Sequence, residues 1–80
     1  MNKEIEKLFK ARGYDFNHIK EVSSGVYRVE SIYTHGDFQM LPDGKILNST
    51  AGFIGDEEKV EYQKIIDPKQ NFKVISEERI

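Results

Sequence analysis

The spacing of apolar residues changes near residue 13. Over residues 2–12, Ile5, Leu8 and Phe9 recur at i, i+3 and i+4, while Lys3, Glu6, Lys7 and Lys10 fill the other positions. That spacing gathers the apolar side chains on one face and predicts an amphipathic helix. Asn2 stands where a side chain can cap the first turn. Arg12 complements the negative end of the helix dipole, and Gly13 can end the helix in left-handed backbone. A helix this short is marginal alone, so its apolar stripe must dock on the rest of the chain.

Beyond Gly13 the alternation is closer to two. Residues 14–22 read as a first strand, ending at the turn signal Ser23-Ser24-Gly25. Residues 26–33 form the most regular strand of the chain, with Tyr27, Val29 and Tyr33 on one face and Arg28 and Glu30 on the other. Thr34-His35-Gly36-Asp37 reads as a turn, and residues 38–41 as a short strand. Pro42-Asp43-Gly44 is a hairpin signal, and residues 45–48 return as its partner strand. Residues 49–55 read as a loop. Asp56-Glu57-Glu58 then resembles a helix start, with a capping aspartate and acids where the dipole is positive. This helix would run to about Ile66 and stop before Pro68. The alternation of Val60 and Tyr62 offers a strand as the second reading of the same stretch. Residues 72–76 read as a final strand and 77–80 as a frayed end.

The elements add up to one α+β domain: an N-terminal helix packed on an antiparallel β-meander, with a second short helix and a final strand. The expected core is Ile5, Leu8, Phe9, Tyr27, Val29, Tyr33, Phe38, Met40, Leu47, Val60, Ile65 and Ile66. A one-residue slip in register would exchange the faces of any strand.

Composition supports the bias towards sheet. Ile and Val total 14 residues, against three Leu and two Ala, and stiff β-branched side chains suit pleated strands. Val, Ile, Leu and Phe make up 22 of 80 residues, more than the ~20% below which chains tend to stay disordered. With no cysteine, disulfides, thiolate metal sites and thiol nucleophiles are excluded. The first seven residues carry charges where a signal peptide needs an apolar centre, and no apolar run nears the ~18 residues of a membrane span. The expected compartment is therefore the cytoplasm.

Charge narrows the functional classes. Twelve bases against fourteen acids divide unevenly: residues 1–20 carry five bases and three acids, residues 56–80 five bases and seven acids. No segment is strongly basic, which makes nucleic acid an unfavoured partner. Catalysis has little to draw on. His18 and His35 are the two histidines, and His35-Gly36-Asp37 could set an imidazole beside a carboxylate, although these are also ordinary turn formers. No spacing of His and carboxylates marks a metal site, and no cofactor motif is present. Gly52-Phe53-Ile54-Gly55 lacks the Lys-Ser/Thr of a phosphate-binding loop, so Phe53-Ile54 reads as a loop anchor into the core or as an exposed apolar contact.

The order helix, strands, helix resembles the layout of double-stranded RNA-binding domains. That resemblance implies a lysine-rich start to the second helix, set against phosphates. Here the position reads Asp56-Glu57-Glu58-Lys59, whose charge opposes an RNA backbone. The expectation is instead a non-enzymatic protein-interaction module, in the manner of small acidic inhibitors and regulators of phages and mobile elements. Its partner would be another protein, met through Asp56, Glu57, Glu58 and Glu61, with Phe53, His35 and Asp37. A homodimer is compatible with an exposed sheet edge. The alternative is nucleic-acid binding by the sheet aromatics Tyr27, Tyr33 and Phe38, or by Lys3, Lys7, Lys10 and Arg12 of the first helix.

Overall fold

A computed structural model describes residues 1–31, 34–54 and 57–79, and for residues 53, 54 and 57–61 the backbone alone. Among the described residues the chain forms one helix, α1 (Lys3–Arg12), and six strands. These are β1 (Ile19–Ser23), β2 (Val26–Glu30), β3 (Thr34–Met40), β4 (Ile46–Ile54), β5 (Glu57–Asp67) and β6 (Lys73–Arg79). Each strand pairs antiparallel with the next in one meander, β1-β2-β3-β4-β5-β6. The architecture is α+β, with α1 on one face of the sheet.

The ends of α1 are set as its sequence predicts. Asn2 Oδ1 accepts from the backbone N–H groups of Glu4 at 2.8 Å and Ile5 at 3.2 Å, satisfying two otherwise unpaired donors. Gly13 takes the left-handed conformation at φ +72°, and its N–H donates to Lys10 O. The N–H of Tyr14 donates to Phe9 O at 3.0 Å. These two bonds form a Schellman stop, and the Tyr14 ring packs on Phe9 at 5.6 Å as such stops favour.

Three stretches depart from the sequence reading. First, residues 14–22 are not one strand: Asp15 caps a 3-10 turn (Phe16–His18) before β1 begins. Second, Thr34-His35-Gly36-Asp37 is the first half of β3 rather than a turn. The β2–β3 hairpin closes earlier, where Ser31 N–H donates to Thr34 O at 2.7 Å. Third, the stretch read as loop and helix over residues 49–66 is a long hairpin of β4 and β5. The acids at its start favour a helix by only a fraction of a kcal/mol each. A nine-position ladder opposite β4 outweighs them and fixes the strand. The layout of an RNA-binding domain is lost with the second helix. Pro68 opens a 3-10 turn (Pro68–Gln70), and β6 extends through Glu77 and Glu78 to Arg79, where a frayed end was expected.

The core lies between α1 and the sheet. Ile5, Leu8 and Phe9 sit on Phe38, Ile46 and Ile66, with Tyr14, Ile19, Tyr27, Val29, Met40 and Phe72 around them. The rings of Phe9 and Phe38 meet edge to face at 5.0 Å. Leu47 and Ile65, expected inside, face each other across β4 and β5 and are half-buried. Ile46 and Ile66, opposite one another, hold the fully buried positions. Neighbours in a strand point to opposite faces, so the helical reading that buried both Ile65 and Ile66 fails for one of them. Tyr33 lies outside the described residues, as does the side chain of Val60.

Candidate functional site

The helix face of the sheet changes character along each strand. On β3, Met40 and Phe38 give way to Gly36; on β4, Ile46 gives way to Asn48 and Thr50; on β5, Ile66 gives way to Lys64 and Tyr62. The helix changes in the same direction, since its apolar stripe ends at Phe9 and Arg12 stands in its last turn. Length alone would leave part of the sheet bare. Ten helical residues span about 15 Å, whereas the nine residues of β4 span about 30 Å.

The uncovered end is a groove of about 310 Å³ between the C-terminal end of α1 and strands β2 to β5. Gly36 lies in its floor. A Cβ there would stand 3.3 Å from both Asn48 Nδ2 and Phe38 Cε1, so any larger residue would push on the floor. Asn48 is buried, and its Nδ2 donates to Asp37 O at 3.3 Å. Thr50, Thr34, Ser31 and Tyr14 supply hydroxyls to the lining, while Arg12 and Lys64 supply positive charge and Glu30 one negative.

Both cations lean on aromatic rings. The Arg12 guanidinium lies 5.6 Å from the centre of Phe38, and its Nη1 donates to the Tyr14 hydroxyl at 3.4 Å. Lys64 Nζ lies 5.7 Å from the centre of Tyr62, with Arg79 at 5.6 Å from the same ring. Lys64 also reaches Glu77 at 3.9 Å, the long end of ion pairing. Among the described residues no carboxylate comes within pairing distance of Arg12.

Across the sheet from this face lies a second polar cluster. Arg28 on β2 stands opposite Asp37 on β3 and grips it with both prongs, Nε to Oδ1 at 2.8 Å and Nη2 to Oδ2 at 3.0 Å. The guanidinium holds the Asp37 carboxyl below its ordinary range, with the nearby His35 adding to the effect. His35 is buried, its Nδ1 3.7 Å from Asp37 Oδ1, and it also borders the groove beside Thr34 and Gly36. His35 and Asp37 thus do come together, on alternate positions of a strand rather than in a turn. His18 stands apart on the first 3-10 turn, exposed, with its Nδ1 3.8 Å from Asp15. Among the described residues no three metal-ligating side chains converge.

The other expected contact residues fall on the β4–β5 hairpin. Glu57 stands opposite Ile54, and Glu58 opposite Phe53. Glu61 is the extra residue of a bulge, between Val60 opposite Ala51 and Tyr62 opposite Thr50. Asp56 lies outside the described residues. The acids therefore do not form the first turn of a helix. Of the sheet aromatics among the described residues, Phe38 is 2% exposed and Tyr27 packs against the core, so these two form no open platform; Tyr33 lies outside the described residues. On the helix, Lys7 and Lys10 pair with Glu4 and Glu6 of their own turns.

The sequence reading missed Thr50 and Lys64 because it placed them in a loop and a helix. The signal was present as a replacement of Ile by Asn, Thr and Lys at every second position of two facing strands. It becomes legible only once the pairing of Ile46 with Ile66 is known.

No family model, no curated protein and no solved structure matches the chain. Among the described residues no helix is long and apolar enough to cross a membrane.

Proposed function

We propose that the protein is a non-catalytic interaction module that occludes or bridges a partner protein through the groove beside the end of α1. The observation that carries this reading is the polar floor and rim of Gly36, Asn48, Thr50 and Lys64, on the sheet face that α1 leaves open. In a small domain, apolar residues at those positions would extend the core, whereas polar ones maintain a wet, addressable surface. The titratable pair on the other face has a structural explanation that needs no reaction. Both Asp37 oxygens are occupied by Arg28, a lock between β2 and β3.

A photo-crosslinking residue at Thr50, expressed in the native host, tests the reading against the same residue at Lys20 on β1. A discrete protein adduct from Thr50 and none from Lys20 is the expected result. Equal labelling from both positions, or none from Thr50, would overturn it.

A further inference from the structure

The charges at the groove narrow the chemistry of its occupant, an inference that rests on the groove being the contact surface. The chain has a net charge of −2, yet this cavity is lined by Arg12 and Lys64 against one acid, Glu30. Arg12, itself exposed, touches the Tyr14 hydroxyl at 3.4 Å and lies over Phe38, and its charge is met by no carboxylate among the described residues. Among the described residues, Glu77 is the carboxylate that Lys64 reaches, at the long end of ion pairing, and its Nζ rests on the Tyr62 ring. A cation that is positioned but weakly compensated is organised before binding, so an incoming anion spends little ordering it.

From these observations we infer that the groove takes an acidic side chain, an Asp or Glu on an extended segment of the partner protein. The carboxylate sits between Arg12 and Lys64, and the hydroxyls of Thr50 and Tyr14 are within the same cavity to donate to it. The volume, about 310 Å³, is at the small end of ligand sites and suits a few side chains. A nucleic acid fits less well. Successive phosphates need an extended basic track, and here Glu30 and Glu77 interrupt it while Lys7 and Lys10 are paired within α1.

The test is an NMR titration of the ¹⁵N-labelled 80-residue chain with an acetylated, amidated Glu-rich peptide, a Gln-rich peptide of equal length, and a single-stranded oligothymidylate. The expected result is saturable movement of the Gly36, Asn48, Thr50 and Lys64 amides with the Glu peptide and none with the Gln peptide. Arg12→Gln and Lys64→Gln should each weaken binding by about tenfold, the worth of one charge-assisted contact, while the remaining spectrum keeps its dispersion. Equal binding of the Gln peptide would overturn the carboxylate and leave the groove reading intact. Tighter binding of oligothymidylate at the same amides would replace the acidic segment with nucleic acid. If the Glu peptide moves no groove amide, the inference falls, and crosslinking at Thr50 then decides separately whether the groove is a contact surface at all.

Discussion

Gly36 is the residue on which the groove depends most directly. Its backbone is ordinary β3, so the requirement is for space and not for an unusual φ. The Phe38 ring cannot retreat, because Phe9 abuts it edge to face, and Asn48 is tied to Asp37 O. Gly36→Ala should therefore destabilise the fold by about 1 kcal/mol, an overpacking cost at the low end of its range, and should narrow the groove. Urea unfolding gives the first quantity, and the peptide titration the second. Asp37 behaves differently. Its pair with Arg28 is about one-third exposed or less on each side, so Asp37→Asn should cost about 1–2 kcal/mol at neutral pH, between exposed and buried pairs. Because Arg28 depresses the folded-state pKa of Asp37, the contribution is present above the ordinary carboxylate range. It is lost as pH falls through the depressed value. The stability gap between wild type and Asp37→Asn should stay constant above about pH 5 and close below about pH 4. A gap that persisted into acid would assign the loss to packing instead.

Among the elements, α1 was fully legible in the sequence, and β5 was legible only as a second reading beside a helix. The difference is physical. A helix is specified by contacts four residues apart, so Asn2, the Ile5-Leu8-Phe9 stripe and Gly13 are all local signals. A strand is specified by its partner, and β5 is held by pairing with β4 from Ile54–Glu57 to Ile46–Ile66. Its bulge at Glu61 also breaks the alternation that would have announced it. The groove inherits this asymmetry: the half supplied by the helix, Arg12, was visible as a basic residue, and the half supplied by β4 and β5 was hidden. The stop of α1 joins the two halves, since Gly13 sends the chain back so that Tyr14 packs on Phe9 and meets Arg12. Gly13→Ala keeps open space around the new methyl group but forces an L-residue to φ +72°. It should cost about 1 kcal/mol. It should also weaken groove binding, because Arg12 and Tyr14 lose their common anchor. Thermal unfolding and the same titration separate the two effects.

At the scale of the molecule, the two ends of the meander decide whether the sheet stops at six strands. An open edge presents unpaired backbone groups to any second copy. Here both edges carry the features that discourage such pairing. β1 has Lys20 and Glu21 followed by a bulge before Ser23. β6 is exposed along its whole length and carries Lys73, Glu77, Glu78 and Arg79. Its pairing skips Ile75, between Ser76 opposite Ile65 and Val74 opposite Ile66. A bulge twists the edge out of plane, and charged side chains along an edge lose hydration when a second strand covers them. The exposed Val74 and Ile75, at 38% and 40%, would otherwise make β6 an apolar template. The chain should therefore run as a monomer in multi-angle light scattering, with the groove rather than an edge available for contact. Lys73→Thr, Glu78→Val and Arg79→Thr together should convert β6 into an adhesive edge, seen as dimer or aggregate where the wild type remains monomeric. A monomeric triple variant would place the protection in the bulge, and a dimeric wild type would mean that the charged edges fail to prevent self-pairing.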